Sequence, residues 1–148
     1  MLNNNSMQSL TFDWNLLWQA FAKIAIAFVL ALPTGLWGEK EGHAVGIRTF
    51  PIVAIASCGY LMALHGADLA ANSRVLQGLV AGIGFVGGGA IVKDGMSVHG
   101  TATAASIWNT GAIGAAVALG RIEIAVVLAV LNVLTLAALV PIKNRLDR

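Results

Sequence analysis

The chain has 148 residues, a mean hydropathy of +0.79 and 57% hydrophobic residues. Only 11% of its residues are charged, whereas about 25% is typical of soluble domains, so the composition excludes a soluble globular protein. A net charge of +2 without a basic run excludes a disordered or nucleic-acid-binding chain, and the single cysteine, Cys58, excludes an intrachain disulfide.

Long uncharged runs separate the charged residues and determine the fold class. A helix needs about 20 mostly apolar residues to cross roughly 30 Å of hydrocarbon, and each run with short extensions is long enough. The runs lack the strict alternation of barrel strands, so helices must satisfy the backbone hydrogen bonds in lipid. We therefore expect an all-α polytopic membrane bundle in one domain spanning residues 1–148. Its five transmembrane helices are predicted at about 16–37, 49–64, 76–92, 101–119 and 122–142.

The first predicted helix is flanked by tryptophans, with Trp14 and Trp18 at one end and Trp37 at the other. Such spacing is typical of interfacial anchors. Lys23 lies close enough to the boundary to extend its ammonium group outward, so we expect a solvated anchor rather than a functional charge. The opening segment, 1–15, lacks the features of a cleaved signal peptide, so we expect the first helix to be retained.

Small residues recur at helical spacing in the third and fourth predicted helices. Membrane helices associate through such faces, because small residues let two backbones approach closely. We therefore predict that glycines of the third helix pack against a small-residue stripe of the fourth, and that these two helices form the tight centre of the bundle. The residues concerned are Gly82, Gly84, Gly87 and Gly88 in the third helix, and Ser106, Thr110 and Gly114 in the fourth.

Two asparagines, Asn109 and Asn132, lie deep in the fourth and fifth predicted helices. An unpaired amide in lipid is costly, so each side chain requires a partner. We expect interhelical hydrogen bonds, with a substrate contact as the alternative.

Polar residues gather in two loops that the topology places at the same membrane face. They form a predicted polar patch of Glu39, Arg48, Thr49, Lys93 and Asp94. Burial of Arg48 or Asp94 without a partner would cost several kcal/mol, so we predict that Arg48 contacts Asp94 or Glu39. The alternative is that these loop charges are solvated separately.

The orientation follows from the Lys and Arg residues of the loops, which favour the cytoplasmic side. One side carries Lys40, Arg48, Lys93, Lys143, Arg145 and Arg148, and the other carries Arg74 and Arg121. This imbalance predicts an N-terminus outside the cell and a cytoplasmic C-terminus.

Other patterns do not support catalysis or cofactor binding. Residues 82–87 match the G-x-G-x-x-G string, but that motif requires a preceding strand, and here it lies inside a hydrophobic span. The histidines, His43, His65 and His99, fall in three different loops without ligand spacing. We expect no metal, no cofactor and no enzymatic activity.

Two separated segments carry a family resemblance. Gly82–Gly95, followed by Val98–Trp108, resembles the glycine-rich span, the basic-Asp-Gly turn and the Gly-x-x-Thr-Ala-Ala helix start of the bacterial MgtC/SapB membrane proteins. Gly46–Thr49 is similar to the Gly-Leu-Arg-Thr sequence that starts the second helix of that family. The resemblance covers about residues 35–138. The chain departs from the family in having Glu39-Lys40 where Glu-Arg is usual, and a shorter loop before Arg48.

The resemblance is to members that consist of the membrane domain alone, without a soluble C-terminal domain. It implies a bacterial inner-membrane protein connected with growth at low magnesium, stress or acid resistance and survival inside hosts. It also implies a role in modulating other membrane machinery, including the proton-translocating ATP synthase.

Two functions are consistent with these observations. The first is a regulatory protein in the lipid bilayer that binds another membrane protein or a second copy of itself. The second is a small transporter or channel for magnesium or another cation, in which unwound backbone of the third helix coordinates the ion. No carboxylate is predicted at mid-depth, which favours the regulatory role.

Overall fold

The computed structural model describes residues 12–40, 45–64 and 68–146, with side chains up to residue 139 except that of Lys40. Five helices dominate the described chain, and one short hairpin interrupts them. The elements are α1 (Trp14–Lys40), α2 (Thr49–Met62), α3 (Leu69–Gly88), β1 (Val92–Asp94), β2 (Ser97–His99), α4 (Thr101–Ala118) and α5 (Ile122–Leu146). The predicted all-α polytopic bundle is confirmed.

Helix α4 is the centre of the bundle, because it packs against each of the four other helices. The main core around it is built largely from alanines of α1, α2 and α5, together with Ile113 and Val117 of α4. A second cluster joins Phe50 of α2, Ile83 of α3 and Ile107 of α4. Small core residues allow the close helix approach on which membrane bundles depend.

Three helices are long and apolar enough to cross a membrane: α1 over Trp14–Glu39, α3 over Leu69–Gly88 and α5 over Ile122–Leu139. Helix α2 has 14 residues, which corresponds to about 21 Å and is shorter than a usual span. Helix α4 has 18 residues, but its many Ala, Gly, Ser and Thr residues make it less apolar than the three helices that are apolar enough to cross a membrane. Its neighbours cover it, so it needs small residues more than large apolar ones.

The bounds of α3 differ most from the sequence prediction of 76–92. The helix begins at Leu69 because the carboxylate of Asp68 accepts a hydrogen bond from the backbone N–H of Ala71 at 2.6 Å, which caps the first turn. It ends at Gly88, and the predicted last turn instead leads into β1. Helix α5 continues past Pro141 to Leu146, and prolines are tolerated within membrane helices.

The predicted contact between α3 and α4 exists, but most of the glycines assigned to it lie elsewhere. A methyl group on Gly87 would lie 3.0 Å from the carbonyl oxygen of Ala104, and the Ile83 side chain fills the space beside Gly111. Gly82, Gly84 and Gly88 instead have open space around them. Successive helical residues are rotated by about 100°, so neighbours of Ile83 and Gly87 point away from α4.

The small-residue stripe of α4 also faces other helices than predicted. Gly114 lies against the Ala54 carbonyl and the Ser57 side chain of α2. Ser106 contacts α5, where its hydroxyl donates to Asn132 Oδ1 at 3.2 Å. Thr110 is buried, and its hydroxyl donates to the Ser106 carbonyl of its own helix. The stripe therefore packs on α2 and α5, while a different face of α4 meets α3.

Candidate functional site

Residues 45–48, which precede α2, lie directly against the end of α1. A methyl group on Gly35 would lie 3.0 Å from Ile47 Cα, and one on Gly38 would lie 2.9 Å from the Val45 carbonyl oxygen. The carboxylate of Glu39 accepts a hydrogen bond from the backbone N–H of Ile47 at 3.3 Å. The two glycines and Glu39 thus fix the backbone just before Arg48, the residue that precedes α2.

The predicted polar turn after α3 is a β-hairpin. Val92 pairs with His99, Lys93 with Val98 and Asp94 with Ser97 in antiparallel register. Gly95 has φ +57°, and glycine at the first loop position is what a two-residue II′ turn requires. Every residue of both strands is exposed, and Met96 at the tip is fully exposed.

Gly100 joins the hairpin to α4 and has φ +84°. Its Cα lies so close to the turn that follows α3 that a methyl group would overlap the carbonyl oxygen of Ala90. A residue with a side chain would be strained there in both conformation and space. The glycine therefore holds the hairpin beside the ends of α3 and α4.

These features place the residues of the predicted polar patch at one end of the bundle. We call this end the motif face, and the patch residues on it are Glu39, Arg48, Thr49, Lys93 and Asp94. Phe50, which follows Thr49, packs with Ile83, Ile107 and Ala90 beside the hairpin, so α2 and the hairpin share this end. Thr49 is half-buried and the other four are exposed. The carboxylate of Glu39 accepts the hydrogen bond from the backbone N–H of Ile47.

The predicted pairing of Arg48 with Asp94 or Glu39 is wrong. Within the described ranges, the one ion pair is that between Arg121 and Glu123, at 2.8 Å. Arg48 and Asp94 are exposed, so neither carries the burial cost that would have required a partner. The two charges are solvated separately, which is the alternative interpretation of the sequence.

Polar side chains inside the bundle form a separate group. Asn132 of α5 accepts a hydrogen bond from Ser106 of α4, and its Nδ2 donates to Thr34 Oγ1 of α1 at 3.0 Å. Asn109 Nδ2 of α4 donates to the Leu128 carbonyl of α5 at 3.3 Å. Both asparagines thus form hydrogen bonds between helices. In the described part of the chain, no buried side-chain nitrogen or oxygen lacks a hydrogen-bond partner.

Lys23 has a more specific contact than that of a solvated anchor. Its Nζ donates to the carbonyl oxygen of Ala118 at 2.9 Å. Ala118 is the last residue of α4, where carbonyls lack partners within the helix and the helix dipole is negative. The ammonium group therefore caps the end of α4 opposite to the motif face.

Other sequence candidates give no cofactor or metal site. Residues 82–87 lie within α3 without a preceding strand, so the G-x-G-x-x-G string is helical sequence. His99 lies on β2, and His43 and His65 fall outside the described residues. The described ranges contain no cluster of His, Cys, Asp and Glu able to hold a metal ion.

Sequence reasoning missed the hairpin and the role of Thr34. The hairpin had a local signal, since Asp94-Gly95-Met96-Ser97 places a glycine in a two-residue loop between short β-prone segments. Thr34 had none, because a threonine in an apolar helix does not reveal which helix supplies its partner.

Comparison with known proteins gives the family. The model of the MgtC family matches residues 24–145. Protein SrpB of Synechococcus elongatus is 31% identical over 130 residues, which cover 78% of this chain and 71% of SrpB. Protein MgtC of Brucella abortus is 32% identical over 136 residues, covering 90% of this chain and 57% of that protein.

A further relative is an uncharacterized protein of Synechocystis, 33% identical over 104 residues that cover 69% of this chain and 43% of that protein. The chain thus spans about half the length of several relatives that it matches. No solved structure matches it. The family match and the apolar helices together show that this chain is a membrane protein that belongs to the MgtC family.

Proposed function

We propose that this protein is a regulatory protein of the bacterial inner membrane, without catalytic activity, that acts by contact with another membrane complex or with a second copy of itself. The proposal connects it with magnesium limitation, stress adaptation or virulence. Its support is membership of the MgtC family and relatives named MgtC in Brucella and Salmonella.

The observation that carries the proposal is the exposure of the motif face. The segments that resemble the family include most of an exposed hairpin, and Arg48 lies exposed at the same end of the bundle. Val92, Met96 and Val98 add exposed apolar surface beside Lys93 and Asp94. Mixed apolar and charged side chains on an exposed hairpin suit a contact surface for another protein.

The transport alternative loses the feature on which it depended. It required unwound backbone in the glycine-rich third helix, whereas α3 is continuous from Leu69 to Gly88. Its carbonyl oxygens before the last turn are therefore engaged in helical hydrogen bonds. The polar groups between α1, α4 and α5 are likewise bonded to one another.

The proposed orientation, with the N-terminus outside and the motif face and C-terminus in the cytoplasm, rests on the distribution of basic residues. A fluorescent protein fused after Arg148 should fluoresce, because it folds in the cytoplasm. An alkaline phosphatase fusion at the same point should be inactive. The opposite pair of results would contradict the orientation.

Growth at low magnesium tests the function. Deletion of the gene should slow growth, and the wild-type chain should restore it. Arg48→Ala and Asp94→Ala should each restore it less well at equal protein level, and because the residues form no ion pair their effects should add. Arg121→Ala, at the opposite end, is the control for charge. Full restoration by the Arg48 and Asp94 variants would contradict a functional motif face.

A further inference from the structure

A long groove separates α2 from α3 on the outside of the bundle. Its volume is about 890 Å³, and its lining runs from Thr49 to Tyr60 along α2 and from Arg74 to Val86 along α3. Gly78 and Gly82 form part of its floor, and a methyl group on either would meet nothing within 4 Å. The groove is therefore open to lipid along most of the length of α2.

The chemistry of this groove differs between its two ends. Arg74 is the one charged residue among the described lining residues, and Tyr60 lies near it at the same end. Arg74 is five residues from the start of α3, about 7.5 Å along the helix axis, so its long side chain reaches the headgroup region. The remaining lining is mainly aliphatic. The groove thus has one cation at the membrane boundary and a mainly apolar lining that continues toward the middle of the membrane.

A second groove provides a comparison. It runs between α3, α4 and α5, has a volume of about 300 Å³ and also ends at an arginine, Arg121. The guanidinium group of Arg121 is neutralised by Glu123 at 2.8 Å, whereas among the described residues Arg74 forms no ion pair. Of these two grooves, the one between α2 and α3 therefore presents a cation that no acidic group among the described residues neutralises.

We propose that the groove between α2 and α3 binds an anionic phospholipid, with the phosphate on Arg74 and one acyl chain along Gly78 and Gly82. Arginine forms paired hydrogen bonds with phosphate oxygens, and a basic pocket between membrane helices suits such a headgroup. A zwitterionic headgroup fits less well, because it brings its own cation to the phosphate. An acyl chain gains no hydrophobic free energy by leaving bulk lipid, so selectivity rests on the charge and the shape of the groove.

The headgroup is tested with the purified full-length chain in a neutral detergent. Phosphatidylglycerol should raise the melting temperature at lower concentration than phosphatidylcholine with the same acyl chains. Arg74→Gln should raise the half-saturating concentration of phosphatidylglycerol about tenfold, because a charge-assisted hydrogen bond is lost. Arg121→Gln, which removes the same charge at the same end, should leave it unchanged. Equal responses to the two lipids, or an unchanged response in Arg74→Gln, would overturn the proposal.

The acyl-chain position is tested by filling the groove. Gly82→Leu places a side chain in the groove, while Gly84→Leu places one on another, equally open face of α3. Gly82→Leu should weaken the response to phosphatidylglycerol, and Gly84→Leu should not. Equal effects of the two variants would contradict the assigned position. If the wild-type chain is a dimer that Gly82→Leu converts to monomers while the lipid response stays unchanged, the groove is an interface between copies and the lipid proposal fails.

Discussion

The glycines of this chain differ in which atoms a methyl group added at their Cα would contact. Spacing in the sequence identified several as packing residues, but spacing gives only the relative angles between residues on a helix. It does not say which face meets which neighbour. Gly114 therefore packs on α2 rather than α3, and Gly82 faces open space, although both fit a small-residue pattern.

Replacement of Gly114 by alanine tests this packing. The added methyl group would overlap the backbone carbonyl of Ala54, which cannot move without shifting α2. We expect Gly114→Ala to lower the free energy of unfolding in detergent by about 1–3 kcal/mol. Gly82→Ala is the matched control and should not lower it, since its surroundings are open and alanine favours a helix over glycine by about 0.5–1 kcal/mol. Equal stability of the two variants would contradict the assigned packing.

The hydrogen bond between Thr34 and Asn132 joins α1 to α5 inside the bundle. A double-mutant cycle with Thr34→Val and Asn132→Leu should give a coupling energy of about 0.6 kcal/mol in unfolding measurements. The control cycle pairs Thr34→Val with Asn109→Leu, because Asn109 bonds instead to the Leu128 carbonyl. That control should be additive. Coupling of the same size in both cycles would show that the effect does not come from the hydrogen bond.

At the scale of elements, local sequence patterns predicted where four of the five helices begin to within a few residues. The start of α3 was missed because Asp68 was not recognised as its cap, although aspartate before an apolar run is a typical signal. The hairpin was missed because its strands have three residues each, too few for a periodic pattern to emerge.

Replacement of Gly100 by alanine tests the close contact between the start of α4 and the turn after α3. Gly100→Ala combines the cost of a positive φ, about 1–2 kcal/mol, with overlap against the Ala90 carbonyl. Gly95→Ala carries the conformational cost alone, because its surroundings are open. Thermal unfolding should therefore show Gly100→Ala to be less stable than Gly95→Ala by at least about 1 kcal/mol. The reverse order would contradict the close approach at Gly100.

At the scale of the whole molecule, composition predicted a polytopic helical membrane protein because few other folds tolerate so few charges. It did not by itself indicate that α4 is central. The small-residue spacing did so, because it predicted that the third and fourth helices form the tight centre of the bundle, and for α4 this is confirmed. Hydropathy detects helices that face lipid, whereas α4 is surrounded by its neighbours and is built from small and weakly polar residues. The residues of the predicted polar patch lie at one end of the bundle, but Arg48 and Asp94 form no ion pair there, because exposed charges need no partner.

We propose that this protein acts through an exposed surface, while its interior polar groups are bonded to one another. Magnesium flux into liposomes that contain only the purified chain tests this claim most directly. We predict that a magnesium-sensitive dye inside them reports the same slow uptake as in protein-free liposomes, while a divalent-cation ionophore gives rapid uptake in both. Uptake that requires the protein and rises with its amount would contradict the account and identify the chain as a transporter.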